Sequence, residues 1–346
     1  MNQVSERTQA TERLNTHLWE AGSGEPLLAI HGNLSNGAAW REQLALLPAG
    51  VRGIAPDLRG FGSSERAPVD ATRGVRDFSD DLAALLDALE LDAVRLAGHS
   101  LGGAVALQFA LDHPERVRSL LLVAPVSPRG YGGTHADGSA CAPDHAGSGG
   151  GMANPELVQR IADGDRGEDS PLSPRNVVRS LFFPDPEQVR DEELLLDGIL
   201  QTAVGDDHYP GDAVASEHWP ALAPGGGGVL NAVSPRWLDL TAFATDGPRV
   251  NVLWVRGDRD AVVADDSPLD LGQLGAIGAV PGWPGAEAFP PQPMVGQTRA
   301  MLERFAASGG SYREEVLADT GHFPFTQRPE AFAKLLHEHL RADAPA

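Results

Sequence analysis

The most constraining stretch of this 346-residue chain runs from Ala93 to Leu111. An apolar run, Ala93–Ala97 (AVRLA), leads into Gly98-His99-Ser100-Leu101-Gly102-Gly103, and the segment from Gly102 to Leu111 has almost no polar face. The pattern predicts a buried strand that turns sharply into a buried helix. In so tight a turn, side chains two residues before and after Ser100 would collide with neighbouring backbone, which accounts for the glycines. The turn lifts the Ser100 hydroxyl above the sheet and sets it at a helix N-terminus, where backbone N–H groups favour negative charge. The competing reading is a glycine-rich turn in a nucleotide-binding unit. That unit needs G-x-G-x-x-G and an acid after the next strand, and neither fits here.

The flanking sequence extends the same architecture. Pro26–Ile30 and Val51–Pro56 read as strands, with Trp40, Leu44 and Leu47 at helical spacing between them. Phe78, Leu82, Leu85, Leu86 and Leu89 share one helical face, and Val117–Ala124 reads as a fourth strand. Strands that alternate with helices imply an α/β fold: a mostly parallel central sheet with helices on both faces. The pattern resumes at Val250–Val255, continues through a helix carrying Val295, Thr298, Met301, Leu302 and Phe305, and ends with Tyr312–Ala318 and a closing helix, Glu330–Arg341.

Between these parts the chain is rich in Gly, Pro and Asp, with weakly helical pieces only at Pro155–Ile161 and Glu187–Gln201. Residues 126–245 therefore read as an inserted cap of helices and loops, packed on a core made of residues 1–125 and 246–346. Scattered aromatic and aliphatic residues argue against a free linker. Gly147–Gly151 reads as a mobile loop, because no lysine or helix start follows that would make it a phosphate cradle. A second loop, residues 261–293, is again heavy in Gly and Pro.

A neutral serine is a poor nucleophile and needs an adjacent base. His322, in ADTGHFPF after the last predicted strand, stands where the order nucleophile, acid, histidine expects it. Asp258 and Asp260 both follow the strand VNVLWV and are both candidate acids. His337 and His339 lie two apart on a helix and diverge, so they form no metal pair. Asp206-Asp207-His208 reads as an exposed polar turn. The single cysteine, Cys141, excludes an internal disulfide and a thiolate cluster. A formal charge of −21 disfavours nucleic acid and anionic lipid surfaces. No run of eighteen apolar residues is present, so no membrane span is expected. The polar start lacks an apolar signal region, which gives a cytoplasmic expectation. A small-molecule substrate is the expected partner, with no cofactor and no metal, and monomer and homodimer are both left open.

In order along the chain, HGN (His31–Asn33), DLRGFGSS (Asp57–Ser64), GHSLGG (Gly98–Gly103), RGDRD (Arg256–Asp260) and TGHFP (Thr320–Pro324) resemble the motifs of the α/β-hydrolase superfamily. The resemblance covers roughly residues 14–125 and 248–340 and implies that fold. It also implies a triad of Ser100 as nucleophile, His322 as general base and Asp260 as orienting acid, because the family's acid usually lies three residues after the glycine. Asp258 is left to stabilise the turn. The backbone N–H groups of Asn33 and Leu101 would form the oxyanion hole. HGN and the Asp57–Ser64 segment are similar to those of haloalkane dehalogenases and epoxide hydrolases, which carry an aspartate nucleophile. Ser100 at that position points instead to the branch with esterases, lactonases and carbon–carbon bond hydrolases. The insertion sits where this family carries a lid. Tyr131, Tyr209, Trp219 and Trp237, with His99 beside the nucleophile, are the candidate pocket residues. The expected activity is hydrolysis of a small to medium, largely apolar ester or lactone. Cleavage of a carbon–carbon bond beside a ketone is one alternative, and a ligand-binding receptor on this fold is another.

Overall fold

The computed structural model describes residues 1–342. Eight strands build one sheet: β1 (Val4–Ala10), β2 (Asn15–Gly22), β3 (Glu25–Ile30), β4 (Val51–Pro56), β5 (Val94–His99), β6 (Val117–Val123), β7 (Asn251–Gly257) and β8 (Ser311–Leu317). Their spatial order is β1-β2-β4-β3-β5-β6-β7-β8. The pairs β1–β2 and β2–β4 are antiparallel, and every pair from β4 to β8 is parallel. This is the mostly parallel α/β sheet that the strand and helix pattern predicts, in the arrangement that the motif resemblance implies. Strand β1 was not legible from the residues alone. All its residues are at least partly exposed, so it lacks the apolar alternation of a half-buried strand.

Helices cover both faces because strand side chains alternate in direction. Leu28, Leu96, Leu120, Leu122 and Trp254 pack against α2 (Arg76–Ala88), α3 (Leu101–Asp112) and α6 (Met294–Ala307). Leu27, Ala29, Ala97, Leu121 and Val255 pack against α1 (Arg41–Leu46) and α7 (Pro329–Ala342). The central helix α3 is buried from Leu101 to Ala110, which is why its sequence shows no polar face. No helix among the described residues is long and apolar enough to cross a membrane.

The chain leaves the sheet after Val123 and rejoins it at Asn251. In between lie α4 (Pro155–Ala162), α5 (Glu192–Leu200) and two very small pairings, Ala213–Ala215 with Leu222–Pro224 and Val204–Gly205 with Tyr209–Pro210. Leu157, Ile161, Val178, Phe182, Leu195 and Ile199 join the apolar cluster on one face of the sheet, whereas Val229, Val233, Leu240 and Phe243 join the other. The glycine run differs from its reading as a mobile loop. Residues 146–150 are buried; Gly150 N donates to Asn231 Oδ1 (2.8 Å), and the Ser148 and Ser234 hydroxyls lie 2.8 Å apart. Buried amide side chains pin the neighbouring loop as well. Gln292 receives Gly132 N (2.6 Å) and donates to Gly130 O (3.0 Å), while Gln297 accepts from Ser127 Oγ (2.6 Å) and donates to His135 O (2.9 Å).

Candidate active site

Ser100 sits between β5 and α3 with φ 53° and ψ −117°, a conformation that costs a non-glycine residue energy and persists only where its surroundings enforce it. Its N–H donates to Val123 O (2.9 Å), which ties the turn to the end of β6. A Cβ at Gly98 would overlap the Gly102 carbonyl, and one at Gly102 would overlap the carbonyls of Ile30 and His31. The two glycines are thus required by close backbone crossings around the serine. Leu101 opens α3, so its N–H belongs to the first helical turn, whose N–H groups have no partner inside the helix.

The facing loop follows β3. His31 is fully buried; its Nδ1–H donates to Gly32 O (2.7 Å) and its Nε2 accepts from Leu58 N (2.9 Å). Desolvation holds the ring below its ordinary pKa, so it is neutral and acts as a strut between this loop and the Asp57–Ser64 segment. Asp57 in turn accepts from Gly37 N (2.7 Å) and Ser63 N (2.9 Å) and pairs with His17 (2.9 Å). The DLRGFGSS motif is therefore a scaffold under the loop. Asn33 is half-buried, its Oδ1 is buried without a partner, and Leu34 follows with φ 52°.

His322 and Asp260 are both buried and paired: Nδ1 lies 2.9 Å from Oδ2 and 3.1 Å from Oδ1. Val262 N (2.8 Å) and Val263 N (3.0 Å) donate to Asp260 Oδ1 and hold the carboxylate in place. A carboxylate at Nδ1 fixes the proton there, and Nε2 is left as the basic nitrogen. Asp258 instead accepts from Thr320 N (3.3 Å) and braces the loop. The Ser100 hydroxyl makes no hydrogen bond to His322 among the contacts of the described residues; such contacts are often long until substrate tightens them. The two loops nevertheless meet, because His99 Nε2 lies 2.8 Å from His322 O.

The five candidate pocket residues separate. His99 is 1% exposed and packs beneath the turn, so it does not line open space. Tyr131 donates its hydroxyl to Val262 O (2.8 Å), beside the acid. Tyr209 is buried in the same apolar cluster as Phe182. Trp219 donates to Pro281 O (2.9 Å) and stands edge-on to Phe289, with ring centroids 4.8 Å apart. Trp237 donates to Gly225 O (2.9 Å) and lies beneath Arg236. Both indoles tie loops together, and no contact brings either to Ser100. Phe182, another aromatic of the insertion, reaches the site through its backbone, since its carbonyl accepts from His322 N (2.9 Å). A backbone contact of this kind leaves no mark in the sequence. No group of three or more His, Cys, Asp and Glu side chains among the described residues is placed to hold a metal ion.

The family model described as the alpha/beta hydrolase fold matches residues 25–163. Residues 25–163 are thus similar to that family, and the sheet of the described chain has the same fold. The chain is 38% identical over 122 residues to epoxide hydrolase 2 of Siraitia grosvenorii, covering 35% of this chain and 39% of that protein. It is 43% identical over 113 residues to a 2-hydroxymuconate semialdehyde hydrolase of a Pseudomonas species, covering 32% of this chain and 40% of that protein. The matched stretch thus spans about two-fifths of the length of these curated relatives. Among solved structures, an esterase from Exiguobacterium antarcticum is similar over 97% of this chain and 100% of its own, with a TM-score of 0.60 at 19% identity, a likeness of fold.

Proposed function

We propose that this protein is a serine hydrolase that cleaves a small to medium, largely apolar ester or lactone through an acyl-enzyme. The observation that carries the reading is the buried Asp260–His322 pair in the loops above a serine held at positive φ. In this reading Ser100 Oγ attacks the carbonyl carbon as His322 Nε2 takes its proton. The negative charge that develops on the carbonyl oxygen is received by the N–H groups of Asn33 and Leu101. His322 then protonates the departing alkoxide, and a water molecule, deprotonated by the same nitrogen, releases the acid and frees Ser100. Asp260 keeps the proton on Nδ1 and stabilises the imidazolium. Residues 126–245 act as a cap that excludes water and selects substrates.

A second reading keeps the same residues but cleaves a carbon–carbon bond beside a ketone. The relative named as a 2-hydroxymuconate semialdehyde hydrolase favours it. A panel of p-nitrophenyl esters, lactones and a vinylogous ketone separates the two by rate. Ser100→Ala tests both: turnover should fall about a thousandfold or more, and labelling by a fluorophosphonate should vanish, with an unchanged circular dichroism spectrum. A variant that keeps a tenth of the activity removes Ser100 from the role of nucleophile.

A further inference from the structure

His99 is a buried histidine beside the nucleophile to which the proposed reaction gives no work. Its Nε2 lies 2.8 Å from the main-chain oxygen of His322. A carbonyl only accepts, so the His99 proton sits on Nε2. Its Nδ1 is buried and has no hydrogen-bond partner among the described residues. That nitrogen faces the oxyanion loop: a Cβ built on Gly32 would come within 2.9 Å of it, 2.9 Å from Ser100 Cβ and 3.2 Å from His99 Cε1. The ring is wedged against His322 (centroids 4.7 Å apart), Phe323 (4.5 Å) and Phe325 (5.1 Å). Desolvation first, then the charge His322 can carry, holds His99 well below its ordinary pKa, so the ring is neutral. An imidazolium would point a second N–H at a site with no acceptor.

One side chain therefore touches the three parts the reaction needs in register. It adjoins the nucleophile in the chain, it contacts the glycine before Asn33, and it grips the backbone of the general base. We propose that His99 is a positioning residue that sets His322 against Ser100 and the oxyanion loop. The proposal rests on the serine-hydrolase reading and deepens it. His99 carries no proton in the reaction. The cap grips the same peptide from the other side through Phe182 O and His322 N, so the base is held at both ends of one residue. The Asp260 pair alone fixes the ring orientation but not the distance from Nε2 to Ser100 Oγ. The His99 contact supplies that second constraint. Misplacing a catalytic group by about 1 Å can cost on the order of a hundredfold in rate.

The experiment compares His99→Phe, which keeps the ring volume and loses the donor, with His99→Gln, whose side-chain amide can donate to the same carbonyl. Each is measured for p-nitrophenyl ester turnover against wild type across pH. His99→Phe should lower kcat about 10- to 100-fold with KM changed less than about threefold. His99→Gln should recover at least a third of the lost kcat, as a purely space-filling role would not allow. Equal losses in the two variants, or a His99→Phe variant keeping half of kcat, overturn the proposal. Nitrogen-15 spectra of the wild-type protein test it without substitution or turnover. His99 should show a fixed Nε2–H tautomer that does not titrate between about pH 5 and 8; an Nδ1–H tautomer or a titrating ring overturns it. A wild-type protein that turns over no ester refutes the functional reading instead, and the spectra still decide the clamp.

Discussion

The regular part, residues 4–123 and 251–342, and the insertion, residues 126–245, are held together in different ways. In the first stretch the backbone satisfies itself, through parallel strands and long helices, and apolar side chains fill the faces at regular spacing. In the second, long polar side chains do much of this work. Asn231, fully buried, receives Gly150 N (2.8 Å) and donates to Asp212 O (2.8 Å), Asp212 Oδ1 (2.9 Å) and Gly227 O (2.6 Å). Gln292 and Gln297 do the same for the loop that opens the insertion. Irregular backbone can be buried only when each N–H and C=O finds a partner, and here side chains distant in sequence provide those partners. Four groups of the candidate site, Ser100, Leu101, Asn33 and the Asp260–His322 pair, come from the regular part. The insertion contributes a grip on the base loop through Phe182 O.

If chemistry belongs to the regular part, the largest effects on rate should come from there. Asp260→Asn removes the charge that fixes the proton on His322 Nδ1, and kcat/KM should fall about a thousandfold or more. Asp258→Asn keeps an amide oxygen that can accept from Thr320 N and should cost less than about tenfold. Steady-state kinetics on one ester substrate decides this, and the reverse ranking would move the acid to Asp258.

The insertion should show its dependence on side chains as lost stability. Asn231→Leu keeps the approximate volume but strands Gly150 N, Gly227 O and the Asp212 groups in a buried place. A cost of about 3 kcal/mol is expected in urea unfolding. Loop 130–151 should become sensitive to protease, while Ser100 still reacts with a small fluorophosphonate. A cost below about 1 kcal/mol would mean that the loop does not depend on this amide. Loss of fluorophosphonate labelling in a folded variant would mean that the insertion governs the chemistry as well.

This contrast also explains what the sequence made legible. The apolar strand AVRLA before GHSLGG located β5, Ser100 and α3 together, because strand, turn and helix each leave a local pattern. His322 and Asp260 could be named because TGHFP and RGDRD resemble family motifs and each follows a readable strand, of which only Val250–Val255 is an apolar run. The cap was readable only as an interruption. Its loops are ordered by Asn231, Gln292 and Gln297, and nothing local to an asparagine or glutamine tells which distant carbonyl it will meet. The same limit applies to aromatics. Trp219 and Trp237 read as pocket lining, yet each donates its indole N–H to a nearby loop carbonyl. His99 was visible beside the nucleophile, but its contact with His322 O spans 223 residues of sequence.

The smallest expected effect concerns the edge of the regular part, where β1 and β2 carry little apolar burial. His17, on β2, lies 2.9 Å from Asp57 Oδ2 and 3.4 Å from Glu6 Oε2. The hydrogen bond to Asp57 raises its pKa above the ordinary 6.5, against an opposing desolvation that its partial exposure keeps modest. The folded state therefore binds the proton more tightly than the unfolded chain does. The resulting stability is fully present below about pH 6.5 and is lost as pH rises through the raised folded value. Glu6 is exposed and the desolvation of His17 opposes its bond to the buried Asp57, so the net effect should be on the order of 1 kcal/mol or less. His17→Gln should thus be measurably less stable than wild type at pH 5.5, and the gap between their urea midpoints should narrow towards pH 8.5. Ester turnover per folded molecule should not change, because Asp57 retains its bonds from Gly37 N and Ser63 N and continues to support the loop that carries Asn33. A gap that stays constant or widens with pH would show that the charge on His17 does not stabilise this edge. A gap that narrows while turnover also falls would tie the edge strands to the site through Asp57, and the separation between scaffold and chemistry would then fail within the regular half itself.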